Sequence, residues 1–203
     1  MRPFAIGGTG RSGTKWCATA LRNGGIYCGH EQVFATAMLP HHHAPRWVAF
    51  DGDSSLAAVP YFEDLPHATK ILVVRDPYTF VSSMLKAGPL MAGSQPAGLT
   101  EYLYAQFPDI FESANEPEAA MRYWVHWNRL GARYADHLFR LEELVPGDLF
   151  SAIGVEPKWH QYPIGIVNHA PNYAKGEYDV DCIDDRLRQE AEDLAFEFGY
   201  EWQ

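Results

Sequence analysis

The chain begins with an apolar run that leads into a glycine-rich stretch and then into a helical pattern. The stretch reads FAIGGTGRSGT and covers residues 4–14. Residues 3–8 predict a short buried strand, and residues 14–23 carry apolar side chains at helical spacing until Gly24 and Gly25 end the pattern. A strand, a glycine-rich loop and a helix in this order predict an anion site, because the N–H groups at the helix start favour negative charge.

The same succession recurs in the middle of the chain. KILVVRDP, residues 70–77, is typical of a strand buried on both faces, and YTFVSSMLKA predicts the helix that follows. Further strands are predicted at 26–28 and at 47–55, the second one running into a helix cap at Ser54 or Ser55. Strands that alternate with helices predict a single-domain, three-layer α/β fold with a central, mostly parallel sheet and its ligand at the carboxyl ends of the strands.

The remaining elements are predicted from periodicity and from turn-forming residues. They are a helix ending near Phe62, a mobile loop at 87–98, a helix at 116–136, a strand at 137–144, a helix at 146–153, an irregular Pro-rich segment at 157–175 and an amphipathic helix at 184–198. No internal repeat or low-complexity tract interrupts this order.

Composition predicts one globular domain over residues 1–203. The chain is 47% apolar and 21% charged, which is enough apolar material for a core. Its 16 Lys and Arg against 26 Asp and Glu give a net charge of -10. So acidic a chain disfavours general affinity for nucleic acid or for anionic membranes. Any anion site must therefore be built locally.

The cysteines and the start of the chain predict a cytoplasmic protein. Cys17, Cys28 and Cys182 are odd in number and show no CxxC spacing, so we expect reduced thiols. The apolar run from Phe4 leaves no room for a signal peptide, and no stretch approaches the roughly 18 apolar residues of a membrane span. We expect no stable membrane insertion. The sequence leaves the oligomeric state open.

One interpretation of the glycine-rich stretch is a dinucleotide fingerprint. Gly8, Gly10 and Gly13 have the GxGxxG spacing, and Glu31 follows 18 residues after Gly13, near the position of a ribose-binding acid. A single-domain dehydrogenase of this size would also need a Tyr-x-x-x-Lys pair, and none of the eleven tyrosines has Lys four residues later. The fingerprint alone is weak support.

A second interpretation is the P-loop of an ATP- and Mg-dependent nucleotide-binding protein or small-molecule kinase. Such a loop needs Lys directly before its Ser or Thr, because the ammonium reaches the β- and γ-phosphates while the hydroxyl holds magnesium. Here Gly13 precedes Thr14, and Lys15 follows it. Asp51 and Asp53 are the acidic candidates for a metal partner at a strand end.

The third interpretation rests on two ordered motifs. GRSGTKW resembles the 5′-phosphosulfate loop of the sulfotransferase superfamily, and VVRDPYTFVSS resembles its 3′-phosphate segment, in which Arg75 is followed eight residues later by Ser83. The closing LAFEFGYE resembles the last helix of the family. The chain is therefore similar to sulfotransferases that use 3′-phosphoadenosine 5′-phosphosulfate (PAPS) and release adenosine 3′,5′-bisphosphate. The resemblance implies a P-loop-like fold and no metal.

The resemblance assigns the donor site to two segments. The first segment comprises Gly10, Arg11, Ser12, Gly13, Thr14, Lys15 and Trp16. Arg11 and Thr14 would hold the leaving 5′-phosphate, while Arg75 and Ser83 would hold the 3′-phosphate. Structural roles compete with these: Arg75 pairing with Asp76, a solvated Lys15, a core position for Trp16, and Ser82 in place of Ser83.

The catalytic base is expected in GHEQVF, residues 29–34, at the end of the second strand beside the donor loop. This segment looks like the Glu-containing segment of the carbohydrate and bacterial branches, so Glu31 is the first candidate and His30 the second. The cluster Asp51, Asp53, Ser54 and Ser55 could contact the acceptor or hold a catalytic residue. The acceptor would be a small molecule, a lipid or a sugar.

Three further segments contain candidate residues. The adjacent His41, His42 and His43 cannot easily converge on one metal ion. NHAPNYAKG, residues 168–176, occupies the place of the family's adenosine-covering loop, so that Asn168 and Lys175 are possible contacts. It lacks the Arg-Lys-Gly form of that loop. YWVHWNRL, residues 123–130, predicts a core stripe in which His126 has a satisfied partner.

Overall fold

A five-stranded parallel sheet forms the centre of the molecule. The structure, a computed structural model, describes residues 2–41, 50–88, 90–91, 93–158 and 178–201. The strands are β1 (Phe4–Gly7), β2 (Cys28–His30), β3 (Gly52–Ser54), β4 (Thr69–Val74) and β5 (His137–Arg140). They are ordered β2-β3-β1-β4-β5, and every pairing is parallel.

Helices connect and cover the strands. The α-helices of the described residues are α1 (Thr14–Asn23), α2 (Pro77–Ala87), α3 (Ala97–Gln106), α4 (Glu116–Ala132), α5 (Pro146–Ala152) and α6 (Asp185–Glu197). Short 3-10 helices span Thr36–His41, Leu56–Tyr61, Pro108–Ile110 and Val180–Cys182.

Two apolar clusters lie on opposite faces of the sheet, because successive side chains of a strand point to opposite sides. Phe4 and Ile6 of β1 join the cluster under α1 and α5. Ala5 of β1 and Leu72 of β4 join the larger cluster under α2, α4 and α6. The predicted three-layer α/β fold is thereby confirmed.

Most predicted elements are confirmed, with corrections at several ends. β2 begins at Cys28, not at residue 26, because the Ile26 N–H still bonds to Leu21 at the end of α1. The helix predicted over 116–136 ends at Ala132, and the strand predicted over 137–144 ends at Arg140, where a turn begins.

The strongest corrections concern two helices. Ser55 is confirmed as a cap, since its hydroxyl accepts the N–H of Ala57, but the helix that follows is 3-10 rather than α. Helix α3 falls in a stretch for which the sequence predicted only a loop up to residue 98. Residues 47–49 and 159–175 of the predicted elements lie outside the described residues.

Two further expectations concern the chain as a whole. Across the described ranges, no helix combines the length and the apolar character needed to cross a membrane. All three cysteines are free thiols, in agreement with the prediction that they form no disulfide framework.

Candidate anion-binding site

The candidate site lies where the connections of the sheet change direction. From β1 the chain crosses to β2 at one edge, and from β4 it continues to β5 at the other edge, although β1 and β4 are neighbours. In open parallel sheets, a crevice forms at the carboxyl ends of such a pair and holds the ligand. Residues 8–13, the β1 loop, follow β1 there, and Arg75 follows β4.

The β1 loop is a compact turn with little room for side chains. The N–H and the hydroxyl of Ser12 both donate to the carbonyl oxygen of Thr9, at 3.1 and 2.5 Å. A Cβ atom at Gly8 would lie 2.4 Å from the Val73 carbonyl oxygen, so glycine is required for this close approach. The buried Thr9 hydroxyl has no hydrogen-bond partner among the described residues, which leaves one polar group of the loop unused.

The start of α1 has no side-chain cap. Gly13 precedes the helix with a φ of 87° and provides no cap hydrogen bond. The first N–H groups of a helix lack intrahelical partners and, with the helix dipole, favour an anion. Thr14 is 8% exposed, and the Ser54 hydroxyl donates to its carbonyl oxygen at 2.8 Å. This bond anchors the helix start to the end of β3.

The next two candidates of this segment lie in different environments. Lys15 is exposed, which leaves its ammonium accessible to a ligand. Trp16 is 6% exposed and belongs to the apolar cluster under α1 and α5. Trp16 therefore has a packing role, and its contact with a nucleotide stays a prediction.

Arg11, Arg75 and Ser83 are joined in one contact network. Nη1 of Arg75, a residue that is only 8% exposed, donates to the carbonyl oxygen of Arg11 at 3.2 Å. Nε of Arg11 in turn donates to the hydroxyl of Ser83 at 3.2 Å. The β1 loop, the end of β4 and helix α2 thus bring together two guanidinium groups and a buried hydroxyl. Below, the β1 loop, Arg75 and Ser83 are called the anion side.

Asp76 and Ser82, the neighbours of Arg75 and Ser83 in the chain, lie in other surroundings. Asp76 caps α2, with Oδ1 accepting the N–H of Thr79 at 2.8 Å. Ser82 is also buried, but its hydroxyl has no hydrogen-bond partner in the part of the chain that the structure describes. Ser83, not Ser82, is the hydroxyl that contacts Arg11.

Helix α4 holds the β1 loop through two buried aromatic side chains. The Trp127 indole N–H donates to the carbonyl oxygen of Gly8 at 3.1 Å. The Tyr123 hydroxyl accepts the N–H of Gly10 at 3.3 Å. Burial raises the pKa of Tyr123 far above the ordinary tyrosine value, and the Gly10 N–H offsets this only in part. The phenol therefore stays protonated at neutral pH.

The same helix also holds the end of β4. The Trp124 indole N–H donates to the carbonyl oxygen of Arg75 at 2.9 Å. The stripe 123–130 was predicted as core, which the burial of these rings confirms, but their bonds to the anion side were not predicted. Buried Trp and Tyr need partners for their polar atoms, and this requirement was the signal that could have pointed to such bonds.

Glu31 and His30 lie at the carboxyl end of the sheet, as the β1 loop does, but not directly beside that loop. Strand β3 stands between β2 and β1, so the base candidates are two strands away, about 10 Å at ordinary strand spacing. Glu31 is exposed and His30 is half-buried. The Glu31 N–H donates to the carbonyl oxygen of Ser54 at 3.3 Å.

Asp53 shapes residues 31–34, the Glu31 loop. Its carboxylate is fully buried and accepts three backbone N–H groups: Gln32 at 3.3 Å, Val33 at 3.0 Å and Phe34 at 2.9 Å. These contacts fix the backbone of the loop that carries Glu31.

Arg11 and Glu31 share an uncommon backbone conformation. Their φ angles are 73° and 57°, and no other non-glycine residue in the described ranges has a positive φ. The left-handed region is costly for residues with a Cβ atom, and such strain concentrates at functional sites. Both residues are also candidates from the sequence, Arg11 for the donor phosphate and Glu31 for the base.

Other candidates contribute little to the site. His126 is half-buried and bonds to Asp109 at 2.8 Å, so it has the satisfied partner that the sequence predicted. His42, His43, Asn168 and Lys175 lie outside the described residues. Within the described ranges, no group of three His, Cys, Asp or Glu side chains could hold a metal ion.

The buried thiols differ from reactive cysteines. Burial raises the pKa of Cys17 to about 12. For Cys28, burial and then the negative charge of Asp53 raise the thiol pKa well above its ordinary value. Both thiols therefore stay protonated at neutral pH, and neither has the thiolate character of a nucleophile.

A comparison of the chain with models of known protein families gives no match, and a search among curated proteins also gives none.

Proposed function

We propose that the protein is a sulfotransferase that moves a sulfuryl group from PAPS to a hydroxyl or amine of a small-molecule, lipid or carbohydrate acceptor. The observation that carries the proposal is the network of Arg11, Ser83 and Arg75 at the crevice. Two guanidinium groups and a buried hydroxyl suit a ligand with two separate phosphates. The net charge of the chain is -10 and does not attract anions, so the affinity of an anion site has to come from these local donors.

The residues of the crevice fit both ends of the donor. Arg11, the Thr14 hydroxyl and the N–H groups at the start of α1 would hold the 5′-phosphosulfate. Arg75, with the Ser83 hydroxyl, would hold the 3′-phosphate. Lys15 would add a positive charge at the open side. When bound, PAPS supplies the activated sulfuryl group.

Glu31 is the proposed base, with His30 as the alternative. Glu31 takes the proton of the acceptor hydroxyl as the acceptor oxygen bonds to sulfur and the bond from sulfur to the 5′-phosphate oxygen breaks. Arg11 and the start of α1 stabilise the charge left on that phosphate, and adenosine 3′,5′-bisphosphate leaves. The acceptor would then lie across the carboxyl end of β3, the strand that stands between the proposed base and the β1 loop.

A nucleoside triphosphate suits the β1 loop less well. With Thr14 as the magnesium-binding hydroxyl, the lysine of an ATP-binding P-loop would stand at position 13. Gly13 has a φ of 87°, and a Cβ atom there would lie 2.4 Å from Cδ1 of Leu141. A lysine at this position would therefore be strained in its backbone and would clash unless Leu141 moved.

Ligand-dependent thermal stability tests the proposal. A ligand that binds only the folded state at a hundred times its Kd raises the free energy of unfolding by about 2.7 kcal/mol. We expect adenosine 3′,5′-bisphosphate to raise Tm clearly more than ATP with magnesium or NAD. A larger shift with ATP and magnesium would reject the sulfotransferase and favour a kinase.

Two variants, each with one arginine replaced by alanine, test the proposed 3′-phosphate site. Arg75→Ala should abolish most of the stabilisation by the bisphosphate. Arg129→Ala is the matched control, because Arg129 lies on α4 and pairs with Glu190. An equal response of both variants to the bisphosphate would show that Arg75 does not hold the 3′-phosphate. Screening acceptors with sulfur-labelled PAPS then identifies the substrate class.

A further inference from the structure

The peptide group between Arg75 and Asp76 is hydrogen-bonded at both of its polar atoms. The Arg75 carbonyl oxygen accepts the Trp124 indole N–H at 2.9 Å, and the Asp76 N–H donates to Oε1 of Glu142 at 3.0 Å. The two atoms belong to one planar unit and point in opposite directions. Two bonds from opposite sides therefore fix its rotation, and with it the backbone from which the Arg75 side chain departs.

The second oxygen of Glu142 connects this peptide to the C-terminal end of the described chain. The Tyr200 hydroxyl donates to Oε2 of Glu142 at 2.8 Å. The Arg140 guanidinium lies 5.3 Å from the centre of the Tyr200 ring and donates to the carbonyl oxygen of Gly199. Burial raises the pKa of Tyr200, and the charge of Glu142 raises it further, so the hydroxyl stays a donor at neutral pH.

We propose that Trp124, Glu142 and Tyr200 form a clamp that positions Arg75 and thereby sets the preference for a 3′-phosphorylated nucleotide. The inference rests on the proposed function, and it adds three positioning residues that act through Arg75 without touching the ligand. At the other end of the side chain, Nη1 of Arg75 is held by the Arg11 carbonyl oxygen. An arginine fixed at both ends loses little freedom when it binds a phosphate.

The two halves of the donor site are held by different groups, which makes the clamp separable by mutation. Trp127 bonds to the β1 loop at Gly8, and Trp124 bonds to the end of β4 at Arg75. Both are tryptophans of α4 with fully buried rings. Replacing either by Phe removes one indole N–H from the same helix, so each variant is the control for the other.

Calorimetric titration with two nucleotides tests the clamp. Adenosine 3′,5′-bisphosphate and adenosine 5′-monophosphate differ only in the 3′-phosphate. Loss of a hydrogen bond to a buried carbonyl costs enough to predict a roughly tenfold fall in the affinity ratio of the two ligands for Trp124→Phe. Trp127→Phe should weaken both ligands in the same proportion. An unchanged ratio in Trp124→Phe would overturn the inference.

A second pair of variants protects the test against a failure of folding. Glu142 and Glu143 are neighbouring exposed glutamates, but Glu143 bonds to Arg140 and not to Asp76. Glu142→Ala should lower the affinity ratio severalfold, and Tyr200→Phe less, whereas Glu143→Ala, with the same charge change, should leave it unaltered. Equal ratios in the two glutamate variants would reject the clamp.

Hydrogen exchange without any ligand separates the clamp from the proposed function. Exchange of the Asp76 amide should be faster in Glu142→Ala than in Glu143→Ala, because only the first variant removes its acceptor. Equal exchange would reject the clamp whatever the protein binds. If the wild type shows no preference for the bisphosphate while the amide behaves as expected, the clamp as a structural device stands and both its link to nucleotide preference and the proposed function fall.

Discussion

The anion side and the Glu31 loop both lie at the carboxyl ends of the strands, but different contacts hold them in place. The anion side follows β1 and β4, each of which has a neighbour on both sides, and its backbone bonds to three aromatic side chains of α4. The Glu31 loop follows β2, the last strand of the described sheet, and depends on the carboxylate of Asp53. Aromatic side chains of one helix hold the anion side. The Glu31 loop is held by the Asp53 carboxylate, by the Ser55 hydroxyl, which donates to the Phe34 carbonyl oxygen at 2.6 Å, and by the bond from its first N–H to the Ser54 carbonyl oxygen.

The difference corresponds to two tasks in the proposed reaction. Stabilising charge on a leaving phosphate requires donors that are preorganised, which a rigid interior provides. Accepting a proton from an acceptor requires access to the acceptor, and Glu31 is exposed. We therefore expect mutations on the two sides to separate donor binding from transfer.

The largest expected effect is on transfer. Glu31→Gln removes the proposed base, so turnover should fall by about 10²- to 10⁴-fold, the usual contribution of general base catalysis. Binding of adenosine 3′,5′-bisphosphate should be unaltered, because β3 separates Glu31 from the β1 loop. His30→Gln is the comparison. If it loses turnover and Glu31→Gln does not, the roles of the two residues are reversed.

The next largest effect is on the free energy of unfolding, and it concerns Asp53, which holds the Glu31 loop. Asp53→Ala leaves three backbone N–H groups without their acceptor, which should lower the free energy of unfolding by about 3 kcal/mol in urea titrations. Asp51→Ala is the control: the exposed carboxylate of Asp51 accepts one hydrogen bond from the described residues, the Tyr27 N–H at 3.0 Å, so a loss of less than about 1 kcal/mol is expected. Equal losses would show that Asp53 does not hold the Glu31 loop.

Local signals explain what the sequence could predict. The strand before the β1 loop, the glycines and the helix after it are encoded within about 20 residues, and so are Arg75, its strand and helix α2. The start of α4 is likewise local, because Asn115 caps it through the Glu118 N–H. Each of these features follows from neighbours in the chain.

The missing part of the site depends on contacts between distant residues. The hydrogen bonds from Trp127 to Gly8 and from Trp124 to Arg75 form only when β1, β4 and α4 have packed together. Strand order is equally non-local, which is why β3 between Glu31 and the β1 loop was not foreseen. Helix α3 escaped prediction because its apolar residues do not share one face: Tyr102 is buried, while Tyr104 is exposed.

A smaller change in the free energy of unfolding is expected when Glu31 or Arg11, the residues with a positive φ, is replaced by glycine. A residue with a Cβ atom pays roughly 1–2 kcal/mol for the left-handed conformation, and replacement by glycine removes this cost. Glycine also gives the unfolded chain more conformational freedom, which destabilises the fold by about 0.5–1 kcal/mol. Glu31→Gly should therefore stabilise the fold by about 0.5 kcal/mol in urea titrations. Arg11→Gly should gain less, because Arg11 also loses its bond to Ser83. A greater gain for Arg11→Gly would mean that this bond contributes nothing.

The smallest effect concerns the pH dependence of stability on the anion side. The folded-state pKa of Tyr123 is raised by burial, so its contribution is fully present below the unfolded value near 10 and is lost as pH rises above it. Tyr123→Phe should be less stable at neutral pH, since the Gly10 N–H loses its acceptor. The deficit should shrink by about 0.4 kcal/mol at pH 10 and by more above it.

Urea titrations between pH 8 and 11 measure this convergence, with Tyr104→Phe as the control, because the Tyr104 ring lies on the surface at 58% exposure. A deficit of Tyr123→Phe that stays constant over this pH range would mean that the phenol beside Gly10 is reached by water in solution. The β1 loop would then be no better shielded than the Glu31 loop, and the contrast between an interior anion side and an exposed base would not hold.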